Sequence, residues 1–430
     1  MRSLVEHARR FPELHPHTPD TSGLDQRDAA LARAIHDAVI RRWLTLRAVI
    51  DPRLGMPFDH VEPKLKAVLL AGAAQILLLD RIPPHAAVSE SVAWAKRHIR
   101  AKAGGLVNAV LRRINDAVVC RDSRFEDRQD QILLPDGRAI TLSEPFLPED
   151  PIDRLAIQAS LPVSIIRRWA DTRGVPDARD AALQTLCLPP TVLNVECATA
   201  PVEHTTSHSM NGSAVFTGTP NELSDLLSRR TDVWVQDAGS ASAVRCVRDL
   251  VSPGLIVDLC AGRGTKTRQL AAAFPGARIV ASDTDRARMQ ELTRVFLHHE
   301  RVSVMPIGDV LLHVAGQADL VLLDVPCSNS GVFARRPEAK YRFGRDQTRR
   351  LSELQRQLLA DAVPMLSARG HVLYSTCSLE PEEDAAPLAW ASEWHGMSIV
   401  RSELIWPQGC PGDPASRYHD GSFFALLARR

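Results

Sequence analysis

The chain has 430 residues, more than one ordinary core encloses, so two or three domains are expected. With 45% hydrophobic and 24% charged residues it reads as a globular protein, and no run approaches the roughly 20 apolar residues of a membrane span. A net charge of +1 leaves a nucleic-acid partner only a local basic face, and 8 cysteines without a CxxC pair exclude a regular zinc or disulfide framework. A reducing cytoplasm and no metal are therefore expected. The start Met1-Arg2-Ser3-Leu4 lacks the apolar stretch of a signal peptide.

Residues 1–23, with Pro12, Pro16 and Pro19, read as a loose arm. Residues 24–118 read as all-helical, because apolar positions recur every three or four residues from Ala29 to Leu46 and from Leu65 to Leu79. Pro83-Pro84 interrupts the pattern, which resumes from Ala86 to Ile99 and again from Val107 to Ile114. Residues 119–160 are polar, charged and proline-containing, the composition of a linker. Residues 161–232 read as a small connecting module, with short helices near Ile165 and Ala178 and then strand-like pieces. Over 233–430, short apolar strands alternate with amphipathic helices. Strands are expected from Leu255 to Val257, Ala277 to Ala281, Val302 to Met305, Leu320 to Leu323, His371 to Tyr374 and Ser422 to Leu427. Such alternation implies an α/β domain with a doubly wound, mostly parallel sheet.

The first strand runs into Asp258-Leu259-Cys260-Ala261-Gly262-Arg263-Gly264-Thr265-Lys266-Thr267. Glycines let backbone approach a ligand, and a following helix presents free N–H groups. A structural turn or a nicotinamide dinucleotide site shares this pattern. The next strand leads to Asp283, spaced for a ribose carboxylate, with Arg288 close behind, and the third leads to Gly308-Asp309, placed for an adenine amino group. Each acid alone reads equally well as a helix N-cap. Three at successive strand ends fit S-adenosylmethionine, with Asp258, Cys260, Ala261, Gly262, Arg263, Gly264, Thr265, Lys266, Asp283, Arg288, Asp309 and Asp324 as candidate cofactor residues. No P-loop is present.

Two further strands end in cysteine motifs, Asp324-Val325-Pro326-Cys327-Ser328 and Thr376-Cys377-Ser378. A reactive thiol needs a rigid, partly exposed mount, which the end of a buried strand supplies. Two such mounts behind a cofactor loop point to methyl transfer to C5 of a cytosine. C5 is a poor nucleophile until a thiolate adds to C6. Asp324 is the candidate group at N3, suited to it if burial raises its pKa. The remaining cysteines read as small buried apolar residues.

On these motifs, from about residue 161 onward, the chain resembles the RNA 5-methylcytosine methyltransferases of the NOL1/NOP2/Sun group. The resemblance implies that Cys377 attacks C6, that Cys327 assists product release and that Asp324 contacts the cytosine. Val235-Gln236-Asp237, Arg335 to Lys340, Pro381-Glu382-Glu383-Asp384 and Asp420-Gly421-Ser422-Phe423-Phe424 also resemble family segments. The cofactor loop departs from the family's Ala-Ala-Pro-Gly-Gly-Lys: Arg263 adds bulk and charge, and Thr265 stands where glycine is usual. Ile82-Pro83-Pro84-His85-Ala86-Ala87-Val88 and Leu106 to Arg113 resemble the NusB RNA-binding domain. A Rossmann-like methyltransferase domain behind an all-α NusB-like domain implies small-subunit rRNA as substrate, with tRNA as the alternative.

Arg335, Arg336 and Lys340 are the candidate substrate-RNA contacts, joined by Arg342, by Tyr341 as a stacking group and by the N-terminal set Lys96, Arg97, Arg100, Lys102, Arg112 and Arg113. A solvated helix face accounts for the N-terminal set equally well. A monomer is expected. Rival readings are a DNA cytosine-C5 methyltransferase, which would not need Cys377, an amino-group methyltransferase, which would carry an Asn/Asp-Pro-Pro-aromatic motif, a dinucleotide oxidoreductase, and a non-catalytic RNA-binding factor.

Overall fold

Helix Pro63–Leu78 is apolar on nearly every side, and such a helix must be enclosed. Helices Gln26–Arg41, Trp43–Ile50, Pro84–His98 and Ala101–Asp116 surround it and share one core, which includes Val39, Trp43, Leu69, Leu77, Val107 and Leu111. Prolines at the first helical position start Pro63–Leu78 and Pro84–His98, where the missing N–H costs nothing. The computed structural model describes residues 1–16 and 18–429, divided into two units. This first unit comprises Met1–Leu188, Phe333–Arg342 and Cys410–Asp413.

Three stretches differ from their expected character. The arm contains helix Arg2–Arg10, which places Leu4, Val5 and Ala8 in the helical core, and Leu14 follows them. The expected linker holds a three-stranded antiparallel sheet, Val118–Arg124, Gln131–Leu133 and Arg138–Leu142, in the order first, third, second. Its Ile132, Ile140 and Leu142 join the same core, although too few alternating apolar residues mark it as a sheet in sequence. The expected connecting module divides. Helices Val163–Arg173 and Val175–Gln184 belong to the first unit, whereas residues from Pro189 onward belong to the second.

The second unit comprises Pro189–Val332, Phe343–Gly409 and Pro414–Arg430. It opens with a small antiparallel sheet of Val192–Asn194, Thr205–Ser207, Ser213–Phe216 and Trp234–Val235. Its main sheet has seven strands: β1 Leu255–Asp258, β2 Arg278–Ala281, β3 Val302–Val304, β4 Ala318–Asp324, β5 Leu366–Thr376, β6 Met397–Ile405 and β7 Ser422–Arg429. The spatial order is β3-β2-β1-β4-β5-β7-β6. The first five run parallel, and β7 is antiparallel to both neighbours.

Side chains alternate across this sheet with a period of two. Val257, Val321, Leu323, Val372 and Tyr374 pack on one face, with Val310, Leu359 and Leu388 from covering helices. Ile256, Ile279, Leu320, Leu322 and Leu373 pack on the other, with Val244, Leu270, Leu292 and Phe296. A sheet covered by helices on both faces needs strands with continuous apolar runs, which Leu255 to Val257 give β1 and Leu320 to Leu323 give β4. The chain winds outward from β1 in one direction and from β4 in the other. Their carboxyl ends therefore flank a topological switch point, where open α/β sheets bind ligands. No helix of the described residues is long and apolar enough to cross a membrane.

Candidate functional site

The loop after β1 leads into α1, Thr265–Ala273. Gly262 and Gly264 have φ of +58° and +84°. A Cβ on Gly264 would meet Phe296 Cε2 at 2.5 Å, so glycine is required there on two grounds. The unusual loop residues do not obstruct it. Thr265 is exposed as the first residue of α1, and Arg263 points outward to pair with Glu291 at 3.2 Å.

Asp258 closes β1 and is fully buried. Its Oδ2 accepts a hydrogen bond from Thr267 Oγ1 at 2.7 Å, while its Oδ1 is buried without a partner. Burial pushes its carboxyl up to about 7. Asp283, two residues past β2, accepts from the Gly262 N–H at 2.9 Å and from the Asp285 N–H at 2.8 Å, with Arg288 3.7 Å away. Each carboxylate oxygen has a second lone pair, so Asp283 keeps acceptor capacity for ribose hydroxyls. Cys260 is half-buried, and burial raises its thiol, which argues for a packing role. The buried orphan oxygen of Asp258, the glycine cradle and the anchored Asp283 fit an amino-acid nucleoside such as S-adenosylmethionine.

Asp309 is placed differently from expectation. β3 ends at Val304, and Asp309 is the third residue of an exposed helix, α2, Ile307–Val314. Pro306 caps that helix and separates Asp309 from the strand, which ends one residue before the expected Met305.

Asp324 is the last residue of β4 and Thr376 the last of β5. These strands are adjacent and parallel, with Asp324 opposite Ser375, so both cysteine loops leave the same edge side by side. Cys327 Sγ and Cys377 Sγ lie 3.1 Å apart. Cys327 is buried and Cys377 half-buried, with Cys377 Sγ 3.4 Å from Asn329 Oδ1. The hydrogen bond to Cys377, together with burial, holds the Cys327 thiol well above its ordinary range. Lys266 Nζ, from α1, lies 2.8 Å from Asp324 Oδ1 and 3.2 Å from Ser240 Oγ. The sequence-derived nucleophile, its neighbouring thiol, the acid and the cofactor loop are thus brought to the switch point.

The loops are laced together. The Gly331 N–H donates to Cys377 O, and the Gly421 N–H donates to Gly331 O. A Cβ on Gly331 would meet Gly421 O at 2.5 Å. Beneath the thiols lies Glu383, wholly buried, whose carboxylate accepts from Ser328 and Ser378. Asp384 accepts from Thr376 Oγ1 at 2.7 Å, and burial raises both of these carboxyls. Sequence reasoning assigned neither residue a role. Their signal in sequence is the run Pro381-Glu382-Glu383-Asp384, which resembles a family segment without giving either acid a task.

The basic candidates separate. Arg335 and Arg336 are exposed in the first unit, as are Lys96, Arg97, Arg100, Lys102, Arg112 and Arg113. Lys340 is not available to RNA: it is completely buried and donates to Arg41 O at 3.3 Å and Ala159 O at 3.1 Å. Burial holds its ammonium well below the lysine range. Tyr341 is likewise interior, donating to Ile40 O at 2.7 Å, and so does not offer its ring to a base. Arg342 is half-buried and donates to Leu14 O at 3.1 Å. The described residues hold no cluster of three or more potential metal ligands.

Residues 248–398 match the family of 16S rRNA methyltransferase RsmB/F, and residues 4–116 match the NusB family. The ribosomal RNA small subunit methyltransferase B of Yersinia enterocolitica is 28% identical, over 95% of this chain and 92% of its own length. That of Vibrio cholerae is 27% identical, over 94% and 90%. The solved structure of PH0851 has the same fold over all of this chain and 98% of its own, with a TM-score of 0.70 at 21% identity. A methyltransferase homologue from Pyrococcus horikoshii matches 64% of this chain and 98% of its own, with a TM-score of 0.51 at 19% identity. The chain thus combines a region that matches the family of 16S rRNA methyltransferase RsmB/F with a region ahead of it that matches the NusB family, and it is similar along nearly its whole length to ribosomal RNA small subunit methyltransferase B.

Proposed function

We propose that this protein methylates C5 of a cytosine in small-subunit rRNA, with Cys377 as the nucleophile. The observation that carries this reading is the pair of thiols 3.1 Å apart, on adjacent strand ends beside the cofactor loop. A single structural cysteine has no use for that arrangement, whereas attack and release divided between two thiols does.

The cofactor supplies an electrophilic methyl group on a sulfonium. Asp258, Gly262, Gly264 and Asp283 are the residues that would hold it, while Arg263 faces outward. On the RNA side, the Cys377 thiolate adds to C6, which breaks the ring's aromaticity and makes C5 nucleophilic. N3, where negative charge develops, takes up a proton from the Asp324–Lys266 pair, whose Lys266 Nζ lies 2.8 Å from Asp324 Oδ1. After transfer, the C5 proton passes to water, the N3 proton returns to the Asp324–Lys266 pair, the C5–C6 double bond re-forms and Cys377 departs as the thiolate. Cys327, held by its loop, assists that release. Arg335 and Arg336 contact phosphates, and the exposed NusB-family set adds a second basic face. The protein acts as a monomer in the cytoplasm, in keeping with eight cysteines that are all free thiols.

The test is transfer of labelled methyl from S-adenosylmethionine to unmodified small-subunit rRNA and, separately, to tRNA, with bisulfite mapping of the product. One modified rRNA cytosine, lost in Cys377→Ala, is the expected result. Label in tRNA alone would overturn the substrate. No transfer and no cofactor binding would leave a non-catalytic RNA-binding factor.

A further inference from the structure

Glu383 lies on the loop after β5 and is fully buried, yet no ion pair among the described residues includes it. Its Oε1 accepts from the Ser328 N–H at 2.9 Å and from Gln355 Nε2 at 3.3 Å. Its Oε2 accepts from the hydroxyls of both Ser328 and Ser378, the latter at 2.6 Å. Gln355 comes from helix Arg345–Ala362 and also donates to Pro326 O at 3.0 Å, one residue before Cys327. Tyr374 Oη, on β5, donates to the Glu383 carbonyl at 2.6 Å.

The two serines are the residues that directly follow the two cysteines. The Ser328 N–H belongs to the peptide that joins Cys327 to Ser328, so one carboxylate grips the chain next to both sulfurs. A buried carboxylate is a poor way to gain stability, because desolvation offsets its hydrogen bonds and an apolar replacement often does as well. What this one supplies is a fixed spacing between two loops that the sheet alone does not connect. Serine hydroxyls rotate freely in solution, but two hydroxyls directed at one oxygen have a single arrangement.

We propose that Glu383 is the positioning residue that sets the mutual placement of the Cys327 and Cys377 thiols. This rests on the function proposed above. Among the described residues no hydrogen bond joins Glu383 to either sulfur, and it acts through Ser328 and Ser378. Its removal should therefore slow thiol attack while leaving the cofactor loop, on the far side of β4, unaffected.

The experiment compares wild type with Glu383→Gln, Glu383→Ala and Ser378→Ala. Covalent adduct formation is followed with rRNA carrying 5-fluorocytidine, whose C5 fluorine cannot leave as a proton does and so traps the Cys377 bond. S-adenosylmethionine affinity is measured on the same preparations. Adduct formation should fall about 100-fold in Glu383→Ala and about 10-fold in Glu383→Gln and Ser378→Ala, with cofactor affinity within about threefold of wild type. Iodoacetamide labelling of Cys327 and Cys377, read by peptide mass spectrometry, gives a second measure that needs no RNA. The ratio of the two labelling rates should shift by about tenfold in Glu383→Gln. Adduct rates within about threefold of wild type, an unchanged labelling ratio, or cofactor affinity falling in step with adduct formation would each overturn the proposal. A wild-type protein that forms no adduct overturns the proposed function instead, and the labelling ratio still decides the role of Glu383.

Discussion

Lys266 Nζ lies 2.8 Å from Asp324 Oδ1, so an ion pair joins the first turn of the helix behind the cofactor loop to the acid beside the cysteine motif. The lysine side chain is largely covered and the aspartate about one-third exposed. Removing the cation leaves Asp324 without its partner, at the place that the proposed function gives to N3 of the base. Lys266→Met should lower kcat roughly 10- to 100-fold, with a smaller change in KM for RNA. Steady-state methyl transfer checks this. A variant with wild-type kcat would remove Lys266 from the site.

The two thiols should fail differently. Cys377→Ala should abolish methyl transfer and form no adduct. Cys327→Ala should transfer a methyl but release RNA slowly, leaving a denaturation-resistant protein–RNA band. Gel electrophoresis under denaturing conditions distinguishes them, and the reverse pattern would exchange the two roles.

Gly264→Ala should cost about 1–3 kcal/mol of stability and weaken cofactor binding, because the residue sits at φ +84° and its Cβ would press on Phe296. Thr265→Gly, at an exposed position one residue later, should cost at most about 1 kcal/mol. Chemical denaturation with and without cofactor separates the two effects. Equal losses in both variants would contradict the cradle.

Asp258 carries a pH signature. Burial raises its carboxyl from 3.8 to about 7 in the folded protein, and neighbouring Asp324 and Asp283 push the same way against Thr267 and Lys266. A raised folded value means that the folded state holds the proton more tightly. Its contribution to stability is therefore fully present below about pH 4 and lost as the pH rises to about 7. Without cofactor, Asp258→Asn should gain stability relative to wild type across that window and hold a constant difference above it. Denaturation midpoints at several pH values test this, and a flat difference would place the proton elsewhere.

Lys340 should be silent toward RNA. Lys340→Met should leave the salt dependence of RNA affinity unchanged, since the ammonium is enclosed by the backbone carbonyls of Arg41 and Ala159. Arg335→Ala and Arg336→Ala should each reduce the slope of log K against log salt by about 0.7–1. Filter binding at several salt concentrations is sufficient, and a reduced slope in Lys340→Met would contradict its burial.

The readable features were those that depend on local pattern. The helical periodicity around Leu65 to Leu79, the apolar strands β1 and β4, the glycine loop and the two cysteine motifs all lie within short windows of chain. The small sheet over Val118–Leu142 was not legible, because its longest strand is mostly exposed and polar and the two strands that reach the core have only 3 and 5 residues. Asp309 lies on a helix and not at a strand end because a strand's end is set by its partner, and β3 pairs only as far as Val304.

The sequence by itself determined the class of fold and the chemistry, because periodicity and covalent motif spacing are properties of neighbouring residues. Only the tertiary structure decided which polar residues work inside. Lys340 and Arg336 are both basic residues of one short segment, yet one is a buried strut and the other faces solvent. Glu383 and Glu382 are adjacent, yet Glu382 is exposed while Glu383 is buried and grips both cysteine loops. Charge is local, but burial is not: it is set by segments hundreds of residues away folding over the same point, as Arg41 and Ala159 do over Lys340.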